Sequence, residues 1–212
     1  LPMLRYDLHA HSTFSDGLLT PAALVERAAA RGVDVLALTD HDDTGGLGEA
    51  AAAARVAGIT LVPGAELSVS WEVHTIHALG LKVDADNADL ASGLATIRSG
   101  RDARAVRMGE SLARAGIPGA YAGARRFVTS DRLISRSHFA RFLVEAGHAR
   151  ETRDVFKRYL TQGKPGYVAH AWATLPDAVA WIHAAGGLAV IAHPGRYRVT
   201  ATGMRRLLTE FR

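Results

Sequence analysis

The chain has 212 residues, of which 48% are hydrophobic and 22% charged, with a formal net charge of +4 at pH 7. This balance is typical of a folded globular domain and excludes intrinsic disorder. With no cysteine in the chain, disulfide scaffolds, zinc fingers and iron–sulfur clusters are excluded too. No apolar run approaches the ~20 residues that span a bilayer, and Arg5 and Asp7 interrupt any signal-peptide core. We therefore expect a cytoplasmic protein.

The basic character of the chain comes almost entirely from arginine. The sequence pI is 9.8, but only three residues are lysines, Lys82, Lys157 and Lys164. An Arg-rich and Ala-rich composition can reflect the nucleotide composition of a gene, and a nucleic-acid surface is the alternative. The arginines concentrate between Arg98 and Arg158, which favours an anionic substrate.

The first part of the chain alternates between strand and helix patterns. Thr20 and Pro21 form a helix start, since threonine caps well and proline suits the first helical position. Apolar and β-branched runs bounded by glycine indicate the strands. In chain order, the patterns predict a strand at 5–8, a helix from 20 to 32, a strand at 33–38, a helix at 46–57, and strands at 59–62 and 73–81.

The second part contains a helical insertion. Residues 88–163 are charged and show no convincing strand, with helices expected near 101–115, 136–146 and 151–160. A helix at 174–185, a buried strand at 188–192 and a helix from 203 follow. We therefore predict a barrel-type domain made of 1–87 and 164–212, and a helical subdomain of 88–163 that covers its functional face.

The alternation predicts an α/β fold with a parallel sheet. Candidate functional residues stand where the predicted strands end, which is the working face of an α/β barrel. About five strands are visible, too few for an eight-stranded barrel. Either the barrel is smaller, or the chain is incomplete.

Histidines and carboxylates form the clearest functional pattern. His9 and His11 are two residues apart on a strand, so both imidazoles point to the same side and can reach one cation. Imidazole mixed with carboxylate suits zinc, manganese, iron and similar divalent ions. The further candidates are Asp16, His41, Glu66, His77 and His193. Four other histidines are expected to be structural, His74, His148, His170 and His183.

The motifs around these residues resemble the PHP domain (polymerase and histidinol phosphatase). They are His9-Ala-His11-Ser12, Phe14-Ser15-Asp16-Gly17, Thr39-Asp40-His41-Asp42, Pro63-Gly64-Ala65-Glu66, Ile76-His77-Ala78-Leu79-Gly80 and Ala192-His193-Pro194. The insertion adds Ile134–Arg141 and Gly163–Val168, which resemble the branch of 3',5'-nucleoside bisphosphate phosphatases and 5'→3' exoribonucleases. The resemblance implies a distorted (β/α)₇ barrel that hydrolyses phosphate esters with up to three metal ions.

The resemblance also implies a ligand set. His9, His11 and Glu66 would hold the first metal ion. The second would bind Glu66, His77 and His193, with Glu66 bridging, and the third would bind Asp16 and His41, while Asp40 would orient a neighbouring group. Mn²⁺ is the expected ion, with Fe²⁺, Zn²⁺ and Mg²⁺ as alternatives. The family's late Asp-x-His is not in the sequence up to Arg212, so the last barrel strands are expected to be missing from this chain.

Hydrolysis at such a centre needs no protein nucleophile, because paired metal ions lower the pKa of a shared water. Arg136 and His138 are predicted to be catalytic and to bind substrate phosphate, and Lys164 is a further phosphate-binding candidate. The expected partner is a nucleotide or a short RNA 5' end, with no membrane and no obligate protein partner. A histidinol-phosphatase-like enzyme and a non-catalytic metal- or nucleic-acid-binding module remain the alternatives.

Overall fold

The computed structural model describes residues 3–129 and 133–211. The chain forms two compact units, which we describe separately. Unit 1 comprises Leu1–Ile97 and Ala171–Arg212, and unit 2 comprises Arg98–His170. The predicted boundaries, 88 and 163, differ from these by up to ten residues. Leu90 and Leu94 belong to the buried core of unit 1, so its packing continues past residue 88.

Unit 1 is built on a mixed sheet. Its strand order is β1-β2-β3-β4-β6, and β5 pairs with β3 off this path. The strands are β1 (Tyr6–Ala10), β2 (Val35–Leu38), β3 (Thr60–Trp71), β4 (His74–Leu81), β5 (Ala173–Thr174) and β6 (Leu188–Ile191). The predicted α/β class is confirmed, with helices connecting most of the strands.

The sheet is not parallel throughout, and on this point the sequence-based expectation was wrong. β1, β2 and β3 are parallel, whereas β4 runs antiparallel to both β3 and β6. Only Glu72 and Val73 separate β3 from β4. A connection this short permits a hairpin but no crossover, so β4 has to reverse direction.

The third strand is also longer than predicted. A strand at 59–62 was expected to end before Pro63, but β3 continues to Trp71. β3 pairs with β2 up to Pro63 and with β4 from Gly64 onwards. The proline and glycine therefore mark a change of pairing partner and not a turn. Glu66 consequently lies inside a strand instead of following one.

Helices cover the sheet and form unit 2. Thr20 and Thr174 cap α1 and α7 as their sequences indicated, each accepting a hydrogen bond from a backbone N–H of the first turn. The helices are α1 (Pro21–Ala30), α2 (Leu47–Ala57), α3 (Ala88–Arg114), α4 (Ala120–Arg125), α5 (Arg136–Glu145), α6 (Thr152–Val155), α7 (Leu175–Ala184) and α8 (Ala201–Glu210). A π-helical turn (Phe156–Leu160) follows α6, and a 3₁₀ turn (Pro194–Arg196) follows β6.

Each unit has its own buried apolar core. In unit 1, one cluster lies between β3, β4 and α7 and includes Leu67 and Ile76, and a second joins α1 and α2 to β2. In unit 2, Leu112, Phe139 and Leu143 are fully buried. Each unit therefore packs around a buried core of its own.

Candidate metal centre

The centre of the site in unit 1 is the carboxylate of Glu66. This side chain is only 1% exposed, and its two oxygens divide five histidines between them. Oε2 lies within 3.0–3.3 Å of ring nitrogens of three of these, His9, His11 and His41. Oε1 lies 3.0 Å from Nδ1 of His77 and 3.0 Å from Nε2 of His193. The structure thus brings the predicted residues from five separate segments to one point.

The first two histidines come from the end of β1. His9 is in the strand and His11 follows it directly. Since alternate residues on an extended chain point to the same side, their Nε2 atoms meet 3.1 Å apart. The strand therefore presents both rings to Glu66, as the spacing indicated.

Asp16 and His41 form the side of the site beyond β2. His41 makes an isolated parallel bridge with Glu66, and its Nε2 is 4.0 Å from Oδ1 of Asp16. Asp16 is carried by a tight turn in which the Gly17 N–H donates to the Ser12 carbonyl at 2.9 Å. A Cβ on Gly17 would lie 2.2 Å from the His11 carbonyl oxygen, so only glycine fits there.

His77 and His193 complete the group from neighbouring strands. His77 lies inside the antiparallel β4, and His193 follows β6. Nδ1 of His77 is 3.4 Å from Nε2 of His193. The two rings therefore approach the same carboxylate oxygen from adjacent strands.

The protonation of these groups follows from burial and from their neighbours. Burial alone would raise the pKa of Glu66, but hydrogen bonds to His11, His77 and His9 outweigh it and hold that pKa well below its ordinary value. Burial lowers the pKa of His41 to about 3, against the opposing charges of Glu66 and Asp16. Glu66 is therefore an anion and His41 a neutral ring with a lone pair available, which is what metal ligation requires.

The donor set fits divalent transition-metal ions. Among the residues that the structure describes, three groups have ligand atoms within 4.8 Å of one another, and two of them share Glu66, as a bridging carboxylate would. The buried Nδ1 atoms of His11 and His193 make no hydrogen bond within the described residues. The groups are His9-Glu66-His193, His11-Asp16-His41 and His41-Glu66-His77. These sets distribute the same seven residues differently from the assignment that the resemblance implied.

Two buried aspartates accept hydrogen bonds from residues that lie next to the metal centre in the chain. Asp40, 2% exposed, accepts hydrogen bonds from the Ser12 backbone N–H and from the hydroxyls of Ser12 and Ser15 at 2.6–2.7 Å. Burial nevertheless raises its pKa. Asp42, at a φ of 50°, accepts from the backbone and hydroxyl of Ser68 at 2.6 and 3.0 Å. Asp40 thus orders the turn that carries Asp16, in agreement with its expected orienting role.

The sequence analysis missed Tyr197. Its hydroxyl accepts a hydrogen bond from the His77 backbone N–H at 2.9 Å and donates to the Ala192 carbonyl at 2.8 Å. Burial raises its pKa to about 12, so the hydroxyl keeps its proton. The nearby His193-Pro194 motif marked this segment, but nothing in the sequence indicated where the tyrosine hydroxyl would point.

The remaining predicted residues, Arg136, His138 and Lys164, belong to unit 2. Arg136 opens α5 with its guanidinium 5.8 Å from the Phe156 ring centre. His138 is 1% exposed, and its Nδ1 accepts a hydrogen bond from the Ser135 backbone N–H at 3.0 Å. Lys164 is exposed in the loop before Gly166. Their substrate roles stay predictions.

Arg136 stands among further arginines that the sequence analysis did not single out. Arg101 and Arg104 are each only 7% exposed. Burial, followed by the positive charges of Arg136, Arg101 and Arg107, lowers the pKa of Arg104 to about 9. The available signal was the spacing of Arg101 and Arg104, because residues three apart are neighbours on one side of a helix.

Comparison with known proteins identifies the family. The PHP domain model matches residues 7–169, and the chain belongs to this family. It is a metal-dependent phosphoesterase with the α/β fold of the PHP domain, as the resemblance implied. Within residues 3–129 and 133–211, no helix combines the length and apolarity needed to cross a membrane.

Two of the curated relatives are identical to this chain at about half of the aligned positions. A 3',5'-nucleoside bisphosphate phosphatase from Chromobacterium violaceum is 56% identical over 99% of this chain and 73% of its own length. A 5'-3' exoribonuclease from Haemophilus influenzae is 47% identical over 98% of this chain and 75% of its own length.

Two solved structures have the same fold. One is an amidohydrolase from Chromobacterium violaceum with bound sulfate and no metal, with a TM-score of 0.96 at 56% identity over 98% of this chain and 73% of that chain. The other is described as a metal-dependent phosphoesterase from Bifidobacterium adolescentis, with a TM-score of 0.89 at 30% identity over 99% of this chain and 75% of that chain.

Proposed function

We propose that this phosphoesterase removes one phosphate from a nucleoside 3',5'-bisphosphate and leaves a nucleoside 5'-monophosphate. The observation that carries the proposal is the convergence of five histidines and Asp16 around Glu66, since this donor set suits metal-assisted hydrolysis. The Chromobacterium relative, named for this substrate, supports the specificity.

The seven residues of the centre are proposed as ligands of up to three divalent ions, with Mn²⁺ as the first candidate. Bound ions would polarise the phosphate oxygens and lower the pKa of a water molecule. Glu66 would bridge two ions, because each of its oxygens already faces a different group of histidines. Asp16 and His41 would hold the ion nearest the turn at residues 12–17.

The arginines of unit 2 are proposed to bind the phosphate that is not hydrolysed. A guanidinium offers a planar fork of donors that matches phosphate oxygens. Arg101 and Arg104 are buried and Arg136 is half-buried, and the charge of Arg136 lowers the pKa of Arg104, so a bound phosphate would relieve their mutual repulsion. A substrate with two phosphates offers one of them to the metal ions and the second to a basic anchor. Lys164 is a weaker candidate because it is exposed.

His138 stays a proposed proton donor or phosphate ligand. Its Nδ1 accepts from the Ser135 backbone N–H, so a neutral ring carries its proton on Nε2. Nε2 is therefore the atom that would donate to a leaving oxygen or to a phosphate. The same hydrogen bond closes a capping box at the start of α5, which fixes the backbone beside Arg136.

The test compares Arg136→Ala with the unchanged enzyme on a nucleoside 3',5'-bisphosphate and on an aryl phosphate, both with Mn²⁺. Losing a charge-assisted phosphate contact costs about 1.5–3 kcal/mol, which is roughly 10- to 150-fold in kcat/KM. We expect this loss on the bisphosphate and little change on the aryl phosphate. Arg150→Ala is the matched control, since Arg150 is an exposed arginine of the same unit.

An equal loss on both substrates would mean that Arg136 serves the reacting phosphate or the fold. If the unchanged enzyme hydrolyses the aryl phosphate as well as the bisphosphate, the proposed nucleotide specificity is wrong.

A second candidate activity is the removal of nucleotides from the 5' end of short RNA, which the Haemophilus relative's name favours. It is tested with 5'-phosphorylated and 5'-hydroxyl RNA oligonucleotides of equal sequence. A preference for the phosphorylated 5' end, abolished by Arg136→Ala, is the expected result. Equal digestion of both oligonucleotides would contradict an anionic anchor at the 5' end. Histidinol phosphate is assayed alongside these substrates, because a histidinol-phosphatase-like enzyme is the alternative.

A further inference from the structure

The ladder between β4 and β6 contains an irregularity at the metal centre. The two strands pair regularly through Ala78 and Ile191. The next pair along the ladder is His77, which precedes Ala78 in β4, and Ala192, which follows Ile191 at the end of β6. The Ala192 N–H donates to the His77 carbonyl at 3.0 Å. In a regular pair, the His77 N–H would also donate to the Ala192 carbonyl. Here the His77 N–H donates to the Tyr197 hydroxyl, and this hydroxyl donates to the Ala192 carbonyl.

The inserted hydroxyl acts as a spacer in the sheet. In a regular hydrogen-bonded pair, the two residues exchange both N–H···O bonds and the backbones close on each other. Here one bond is direct, while the other runs through the tyrosine oxygen in two steps of 2.9 and 2.8 Å. The hydroxyl therefore holds β4 and the residues after β6 apart at the end of the ladder that carries His77 and His193.

The chain after β6 is shaped to deliver this hydroxyl. His193 has a φ of 31°, a left-handed conformation that is unfavourable for a residue with a Cβ. The 3₁₀ turn that follows brings Tyr197 back against the strand, with its ring centre 5.5 Å from that of His193. The strained backbone at His193 and the hydroxyl bridge thus belong to one local arrangement.

This arrangement sets the distance between two candidate ligand atoms, one on His77 and one on His193. Nδ1 of His77 and Nε2 of His193 are 3.4 Å apart, and each lies 3.0 Å from Oε1 of Glu66. Direct closure of the ladder would pull the Ala192 carbonyl towards the His77 N–H and carry His193 with it. The two nitrogens would then no longer face the same carboxylate oxygen at equal distances.

We propose that Tyr197 is a positioning residue, whose hydroxyl spaces β4 and β6 so that the ring nitrogens of His77 and His193 both stay beside Oε1 of Glu66 as metal ligands. The proposal rests on the metal centre in the proposed function and is independent of the substrate. It predicts that the hydroxyl affects the metal positions that include His77 or His193 much more than the position formed by His11, Asp16 and His41.

The test is Tyr197→Phe in the full-length protein, because phenylalanine keeps the ring and removes only the hydroxyl. Groups that orient metal ligands typically contribute 10- to 100-fold in metal affinity. We expect the Mn²⁺ affinity of the positions that include His77 or His193 to fall by about this factor, with the His11–Asp16–His41 position unchanged. Chelator-competition titration gives the affinities, and anomalous scattering from crystals gives the occupancy of each position. Tyr6→Phe, at a tyrosine that is 60% exposed, is the matched control.

Two further measurements distinguish positioning from a general loss of structure. Amide hydrogen exchange at His77 should accelerate in the variant, because its N–H loses its acceptor, and the melting temperature of the metal-free protein shows whether the variant is folded. Unchanged Mn²⁺ affinity would overturn the proposal, and so would equal weakening of all positions together with a lower melting temperature. An unchanged protein that binds Mn²⁺ but does not cleave the bisphosphate contradicts the proposed substrate and leaves this inference intact.

Discussion

Replacing Glu66 with glutamine tests the middle of the site with almost no change in shape. A glutamine keeps one oxygen and replaces the other with an NH₂ group, which cannot accept a hydrogen bond or bind a metal ion through a lone pair. Each carboxylate oxygen has at least two ring nitrogens within 3.0–3.1 Å. The substitution therefore removes at least two charge-assisted contacts whichever way the amide turns.

The magnitude follows from the loss of a charged ligand at each ion. A charge-assisted contact contributes about 1.5–3 kcal/mol, which is roughly 10- to 150-fold at about 1.4 kcal/mol per tenfold change. The Mn²⁺ affinity of each position that shares Glu66 should therefore fall by about this factor. The loss should affect both ion positions that share Glu66, since the carboxylate belongs to two of the three ligand groups.

The assay is calorimetric titration of metal-free Glu66→Gln with Mn²⁺, alongside Glu26→Gln as a control at an exposed position on α1. Far-UV circular dichroism establishes that each variant is folded before titration. A variant that binds the same number of Mn²⁺ ions with unchanged affinity would refute the reasoning, because the proposed bridging carboxylate would then contribute nothing to binding.

Three further predictions concern the support of the site and its protonation. Asp40→Asn removes an acceptor from the hydroxyls of Ser12 and Ser15, so the free energy of unfolding should fall by about 1–3 kcal/mol; unchanged urea denaturation would contradict the role of Asp40. Gly17→Ala places a Cβ 2.2 Å from the His11 carbonyl oxygen and should cost a similar ~1–3 kcal/mol, with weaker Mn²⁺ binding beside Asp16; an unchanged melting curve would show that the turn can relax. Glu66 raises the pKa of His11 above its ordinary value of 6.5, although burial opposes it, while the pKa of Glu66 itself is lowered from 4.5. The stability that the His11–Glu66 pair gives the metal-free protein should therefore be lost as the pH falls below 4.5 or rises through the raised pKa of His11, whereas Mn²⁺ affinity should increase with pH as His11 loses its proton. Melting temperatures and Mn²⁺ titrations across this range check both signs.

The ligand residues could be predicted because their signals are local. His9 and His11 alternate on one strand, and His41 and His193 follow strands that the apolar runs located to within a few residues. Glu66 was identified for its motif although its strand was drawn too short. Pro63 and Gly64 look like a turn in the sequence, and only the pairing with β4 shows that the strand continues.

The supporting contacts could not be predicted because they depend on which distant segments meet. Tyr197 hydrogen-bonds to His77, which is 120 positions earlier in the chain. Ser68 in β3 donates a hydrogen bond to Asp42, which lies in the loop after β2. The start of α3 was missed for a related reason. Gly93 and Gly100 resemble helix breaks, yet a Cβ on them would lie 2.4 Å from Trp181 and 2.5 Å from His170. These glycines allow close packing and do not end the helix.

The central claim is that the residues around Glu66 bind divalent metal ions, and the most direct measurement is the metal content of the folded protein. The protein is stripped with chelator, loaded with Mn²⁺, freed of excess metal and measured by elemental analysis, and anomalous scattering then locates the ions. We predict ions on the nitrogen and carboxylate atoms of His9, His11, Asp16, His41, Glu66, His77 and His193. Folded protein that contains no metal after loading, or ions located only elsewhere, would contradict the account.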